Sequence, residues 1–332
     1  MNANNFTPIL LDWFGRHGRD LPWRHTRDAY AIWLSEVILQ QTRIEQGRAY
    51  WLRFMERFPH VEDLARASED EVLRLWQGLG YYSRARNLHH AARQIVAAGR
   101  FPDTMSGILK LKGVGDYTAA AIASIAFGLP EASVDGNVYR VLARHFGIRT
   151  PINTTAGKKL FKALAQDLLP VSEASAFNQA LMDFGALQCT PASPHCTNCP
   201  LGETCEAWRS GSVAELPVKN KTLKIRERHL TYIYIRCNGM TAIRRREGKD
   251  IWQGLWEPLL IEREPMPTLP GKLTALRRQV KHVLTHQVIF ADFYLLETPQ
   301  QPALPKGYVW ISEPELAHYA LPRLVELLIE TL

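Results

Sequence analysis

The sequence predicts a multi-domain protein in which an all-α domain comes first and a smaller α+β domain follows. Helical spacing of apolar residues runs from residue 8 to residue 187 with no strand-like alternation. Four of the five cysteines then cluster at Cys189, Cys196, Cys199 and Cys205. Beyond residue 229, β-branched and aromatic runs flank an Asn238-Gly239 turn, the mark of a hairpin. These observations divide the chain into 1–208, a polar, basic connector over 209–228, and 229–332.

The first domain is organised around residues 111–140. Gly113 and Gly115 separate a short apolar run, 106–111, from an alanine-rich helix over 117–127. Glycine permits positive φ and close backbone approach, so amides around Val114 and Gly115 can face outward at the second helix's N-terminus. Such a terminus suits a phosphate, although a glycine pair opening a helix is more often only a turn. Asp135 precedes another helix, 136–146, where it is either a carboxylate with a chemical task or an N-cap.

Upstream, residues 8–58 are helical, broken at Leu21-Pro22-Trp23-Arg24. On a helix over 31–41, Glu36 is flanked at three and four positions by Ile32, Trp33, Leu39 and Gln40. Its carboxylate thus lies beside apolar surface, where desolvation raises a pKa, or at the exposed edge of an amphipathic helix. Helices continue over 61–98, 154–169 and 173–187. The cysteines follow a C-x6-C-x2-C-x5-C pattern that can enclose one metal centre, zinc or iron–sulfur, and the spacing does not choose between them. In the connector, Lys219, Lys221, Lys224, Arg226 and Arg228 either track a DNA backbone or are solvated. Strands are expected over 230–237, 241–245 and 287–296, with a closing helix over 322–331.

The chain has 332 residues, 46% hydrophobic and 22% charged, which is globular and ample for two cores. Lys and Arg outnumber Asp and Glu by 40 to 33, favouring a polyanionic partner. The N-terminus lacks a secretion-signal pattern, and the longest weakly polar run, 119–129, is too short to cross a bilayer. An intracellular, cytoplasmic protein with metal-ligating rather than disulfide-bonded cysteines is expected, with no membrane association.

LKGVGDYTA followed by VDGNV, together with WLSEVILQQT and the four-cysteine run, resembles the helix-hairpin-helix DNA glycosylases, most closely the MutY-type adenine DNA glycosylases. The resemblance covers nearly the whole chain and is tightest over 21–205. It implies a glycosylase domain whose cysteine loop holds a [4Fe–4S] cluster, then a Nudix-like domain. That second domain lacks the REXXEE element of active Nudix hydrolases, so recognition without hydrolysis is expected there.

The resemblance implies double-stranded DNA containing A:8-oxoguanine or A:G mispairs as partner, bound by a monomer that is nucleoid-associated when engaged. Glu36 would protonate the adenine and Asp135 would face the sugar cation, with Asn137 and Tyr117 orienting them. Trp23 and Arg24 would line the adenine pocket. Gln40 and Tyr81 would enter the stack beside the extruded nucleotide, and Thr42 and Leu79 would contact the opposite base. Thr285 and His286 lie where the family reads 8-oxoguanine with Phe-Ser-His; here Leu284 and Thr285 replace the first two. Tyr117 stands where endonuclease III-type enzymes carry a Schiff-base lysine, which implies base release without strand cleavage. Two other readings stay open: a glycosylase for oxidised pyrimidines, and a metal-stapled DNA-binding protein without activity.

Overall fold

The computed structural model describes residues 5–220, 225–262 and 264–332. Lys221 and Lys224 of the expected connector, and the start of the N-terminal segment read for a secretion signal, lie outside the described residues. The chain forms two compact units, Met1–Ala65 with His90–Lys221, and Arg66–His89 with Thr222–Leu332.

The helices in chain order are α1 (Phe6–His17), α2 (Ala29–Leu39), α3 (Ile44–Arg57), α4 (Val61–Arg66), α5 (Glu69–Trp76), α6 (Ser83–Ala97), α7 (Met105–Ile108), α8 (Asp116–Phe127), α9 (Gly136–Phe146), α10 (Thr155–Leu168), α11 (Ala174–Leu187), α12 (Glu206–Arg209) and α13 (Arg323–Ile329). In the first unit α2 is a central helix, buried at every position from Ala29 to Ile38. It is apolar on all sides, as a helix enclosed by others must be. The Asp28 carboxylate starts it by accepting from the Tyr30 amide at 3.0 Å. α8 packs on α2, and α11 packs on α1, α8 and α9. Phe6, Trp13, Phe161, Phe177 and Phe184 form the centre of the main core.

Two features place backbone where side chains would obstruct. Gly113 takes φ 81° in the turn between α7 and α8. At the α9–α11 crossing, a Cβ on Gly185 would stand 2.6 Å from the Asn137 Cβ, so only glycine fits there without a shift.

The polar segment after α12 departs from a free connector. Ser212 and Leu216 are buried. The Arg144 guanidinium donates to the Val213 and Leu216 carbonyls at 3.0 and 3.1 Å. The Ile152 amide donates to the Val218 carbonyl at 3.0 Å. Local composition showed polarity, whereas these distant backbone bonds strap the segment down.

The second unit has β1 (Arg226–Arg236), β2 (Met240–Arg245), β3 (Trp256–Glu257), β4 (Leu259–Ile261), β5 (Lys272–Val283), β6 (Gln287–Glu297) and β7 (Tyr308–Ser312). They form a four-stranded sheet ordered β4-β1-β6-β5 and a three-stranded sheet ordered β3-β2-β7. β1 runs parallel to β6, while β5 and β6 form a long antiparallel hairpin. The β1–β2 turn takes positive φ at Asn238 and Gly239, as its sequence predicts. β5 was not legible because nine of its twelve residues are exposed and it lacks alternation. Helical residues 66–89 belong to this unit, although sequence order places them with the helical part. Arg245 pairs with Glu69 at 2.8 Å and Arg86 bonds the Gln253 carbonyl at 2.5 Å, contacts invisible to local patterns.

Candidate active site

In the first unit a cavity of about 580 Å³ is lined by Trp23, Arg24, Glu36, Gln40, Thr42, Tyr117, Asp135 and Asn137. Residues from the turn before α2, from α2 itself and from the starts of α8 and α9 thus converge on one space. It exceeds a nucleobase in volume and has both polar and apolar walls.

Glu36 is 8% exposed. The enclosure of α2 on all sides, and not its edge, accounts for this. Burial pushes its carboxyl up to about 7; a hydrogen bond from Tyr117 opposes the rise, the Asp135 charge adds to it and Arg24 opposes it. The Tyr117 hydroxyl also lies 3.2 Å from the Met182 sulfur. A carboxylate is the stronger acceptor, so the Tyr117 hydroxyl donates its hydrogen bond to Glu36 when that group is ionised.

Asp135 is the N-cap of α9 and also lines the cavity. Its Oδ1 accepts from the Asn137 and Val138 amides at 2.9 and 2.8 Å, capping α9. Its Oδ2 accepts from the Asn137 side-chain amide at 2.7 Å. Burial raises its carboxyl, and these donors with the Arg140 charge offset part of that rise. The network continues inward. Arg140 donates to Asn137 Oδ1 at 2.9 Å, to the Gly185 carbonyl at 2.6 Å and to the Cys189 carbonyl at 2.7 Å.

Arg24 is held by a residue the sequence reading missed. Asp183, fully buried, receives both Arg24 terminal nitrogens at 2.7 and 2.8 Å and the Arg19 amide at 2.9 Å. Burial works to raise Asp183, but the Arg24 and Arg19 hydrogen bonds outweigh it and hold the carboxyl below its usual range. A lone acid within the apolar run 180–185 was the available signal, since buried carboxylates are rare unless paired. Gln40 bonds the Thr118 hydroxyl at 3.2 Å. Its neighbour Gln41, also missed, is exposed at the cavity, with φ 56°.

At the hairpin the Val114 amide donates to the Leu111 carbonyl at 3.1 Å, so it closes the turn instead of facing outward. Gly115 is exposed and is the N-cap of α8, with open space on its side-chain face.

The remaining expected contacts meet in the second unit. Leu79, Tyr81, Thr285 and His286 line a cavity of about 470 Å³ with Trp252. The Tyr81 hydroxyl is hydrogen-bonded to the Thr285 hydroxyl, and Tyr81 holds a left-handed φ of 47°. Thr285 and His286 are exposed in the β5–β6 turn, closed by the Leu284 amide on the Gln287 carbonyl at 2.8 Å. His282 is half-buried 5.9 Å from the Trp252 ring. Arg228 of the expected phosphate-tracking stretch is instead paired with Asp250 and Glu262 at 2.9 and 2.7 Å.

The cysteines Cys189, Cys196, Cys199 and Cys205 are unbridged and line one small cavity beside Arg144 and Trp208. Burial pushes the Cys199 thiol up to about 11, and the neighbouring thiols add to this. Arg144, itself buried, donates to Cys189 Sγ at 3.5 Å and to the Thr190 carbonyl at 2.7 Å. Four soft donors, with a cation against one of them, suit a group that concentrates thiolate charge. Among the described residues no helix is long and apolar enough to cross a membrane.

Residues 34–168 match the model of the HhH-GPD superfamily base excision DNA repair protein, and residues 231–331 match that of the NUDIX domain. The adenine DNA glycosylase of Buchnera aphidicola subsp. Baizongia pistaciae is 32% identical, over 86% of this chain and 84% of that one. The adenine DNA glycosylase of Mus musculus is 33% identical, over 95% of this chain and 75% of that one. A solved thermostable thymine-DNA glycosylase is 33% identical with a TM-score of 0.59, covering 63% of this chain and 97% of that one. The helical fold with a Nudix-like second part, expected from the motifs, is therefore observed. With relatives matching across both parts, the chain belongs to the adenine DNA glycosylase family.

Proposed function

We propose that this chain removes adenine from duplex DNA where adenine faces 8-oxoguanine or guanine, hydrolysing the N-glycosidic bond and leaving an abasic site. The observation that carries the reading is a carboxyl raised to about 7 and a second, hydrogen-bonded carboxylate on the wall of the same cavity.

The reaction needs a proton on the leaving purine and negative charge near the sugar. Glu36 donates the proton, an assistance generally worth about 10² to 10⁴ in rate. Asp135 faces the oxocarbenium-like sugar, kept in one orientation by the Asn137 amide and the first turn of α9. Tyr117 positions Glu36, and Arg24, anchored by Asp183, forms part of the cavity wall. Water takes the sugar C1 position, and the proton it sheds passes to a carboxylate. The side chain at 117 is a phenol with no amine to form an imine, so the phosphodiester backbone stays intact. The second cavity reads the partner base, with the Thr285 hydroxyl and His286 as hydrogen-bonding groups.

Cys189, Cys196, Cys199 and Cys205 would ligate a [4Fe–4S] cluster, which when bound supplies a rigid cross-link to the 189–205 loop. Visible absorption with iron and sulfide analysis tests this; a colourless, zinc-containing protein would refute it.

The functional test measures base release from duplexes holding adenine opposite 8-oxoguanine, adenine opposite guanine, thymine opposite guanine, and an oxidised pyrimidine. Adenine release abolished in Glu36→Gln and Asp135→Asn is expected, with no borohydride trapping. Release of a pyrimidine but not adenine, or unchanged activity in both variants, overturns the reading.

A further inference from the structure

The longest strand of the second unit is also its least covered. β5 forms the edge of the four-stranded sheet, and nine of its twelve residues are exposed. Long open edges invite unwanted pairing, and proteins blunt them with charge and bulges. β5 has both. It carries Lys272, Arg277, Arg278 and Lys281 and no Asp or Glu. Its register with β6 slips between Ala275 and Arg277 and again between Arg277 and Val280, with Gln279 at φ 54°.

Edge protection alone does not account for how these cations are left. Most other arginines in or next to the strands of this unit are spent on carboxylates: Arg228 on Glu262, Arg236 on Glu313, Arg244 and Arg246 on Glu257, and Arg245 on Glu69, with Arg226 at the exposed start of β1 the exception among the described residues. Among the described residues no such pair forms for Arg277, Arg278 or Lys281. The nearby Asp292 accepts from the Gln279 amide at 2.7 Å instead. A regular strand sends neighbours to opposite faces, whereas here Arg277, Arg278 and Gln279 are all exposed around the bulges.

Placement supplies the second argument. β5 runs directly into the 284–286 turn that lines the cavity with Leu79 and Tyr81. Lys281 is four residues from Thr285 and so lies within roughly 13 Å of it, the span at about 3.3 Å per extended residue. That equals about four base steps of duplex at roughly 3.4 Å each. Phosphates flanking a base at that cavity are therefore within reach of the end of β5 that enters the turn.

We propose that Arg277, Arg278 and Lys281 on the bulged edge strand β5 form a phosphate-backbone contact for duplex DNA, independent of base identity. The proposal rests on the second cavity being the partner-base site. Its role is to fix the register of the hairpin on the duplex while the turn samples bases, so it binds undamaged DNA as well.

The test uses the full chain with its metal centre intact, and two labelled duplexes, one undamaged and one holding adenine opposite 8-oxoguanine. Anisotropy titrations between about 50 and 200 mM salt give the slope of log affinity against log salt. In the Arg277→Gln, Arg278→Gln, Lys281→Gln triple variant the slope should fall by about 0.9 per lost contact, near 2.7 in all, on both duplexes. An Arg277→Lys, Arg278→Lys variant should retain the wild-type slope. Single-turnover base release at saturating enzyme should stay within about twofold of wild type. Should the triple variant fail to fold, Arg278→Gln alone should lower the slope by about 0.9. An unchanged slope and affinity overturns the proposal and leaves β5 a protected edge or the seat of a protein partner. Absence of adenine release from the wild type would sink the proposed function, yet the slope on undamaged duplex would still report on β5.

Discussion

Replacing Glu36 by glutamine should stabilise the protein above neutral pH while removing its proposed acid. In the unfolded chain this carboxyl loses its proton near its ordinary value of 4.5, whereas in the fold burial holds the proton until about pH 7. Between these values the folded state binds more protons, so its stability falls as pH rises; the loss begins above the unfolded value and is complete above the folded one. The gap of about 2.5 pH units corresponds to roughly 3 kcal/mol at 1.36 kcal/mol per unit. Glutamine keeps the shape, carries no charge and can use the Tyr117 phenol as an acceptor. Glu36→Gln should therefore exceed the wild type by about 3 kcal/mol at pH 8, and the difference should vanish towards pH 4.5. Urea unfolding followed by circular dichroism at a series of pH values measures it. A difference that is the same at pH 5 and pH 8, or a variant less stable at pH 8, would refute burial as the source of the raised pKa.

The pH profile of base release gives a related prediction. Tyr117 lowers the Glu36 pKa by its hydrogen bond, so Tyr117→Phe should move the alkaline limb of single-turnover base release to higher pH. A limb left in place would show that Glu36 is not the titrating acid. Asp183→Ala should cost about 3 to 5 kcal/mol, because it strands the Arg24 and Arg19 guanidinium groups without their buried partner. Unfolding curves within 1 kcal/mol of wild type would contradict that. Gly185→Ala places a Cβ against Asn137, so it should slow base release at least tenfold while leaving duplex affinity within about twofold. Arg144→Gln removes the donor to Cys189 Sγ, to the Thr190 and Pro191 carbonyls of the cysteine loop and to the Val213 and Leu216 carbonyls after α12, and should lower the retention of the proposed cluster's iron on chelator challenge; unchanged retention would assign the loop's rigidity elsewhere.

Local signals were readable wherever the physics acts within a few residues. Asp135 as a cap, Gly113 in a left-handed turn, the Asn238-Gly239 hairpin and the start of α9 all depend on backbone bonds that neighbouring residues supply. The cysteine spacing and the WLSEVILQQT and LKGVGDYTA segments carried the family resemblance in the same way. Asp183 and β5 were hidden for opposite reasons. Asp183 owes its role to partners on the segment before α2, and β5 owes its form to pairing with β6, because its exposed residues have no buried face to set a period.

The sequence by itself determined the helical character of the first part, the α+β character of the second, the start of α9, and the residue types capable of glycosidic chemistry. Only the tertiary structure decided that Glu36 is buried, that Asp135 shares its cavity, that Arg24 is pinned by Asp183, and that the segment after α12 is strapped down. The reason is range: caps and turns are settled by bonds spanning three or four residues. A carboxyl's proton affinity sums over every group and every excluded water around it, and those neighbours come from distant parts of the chain.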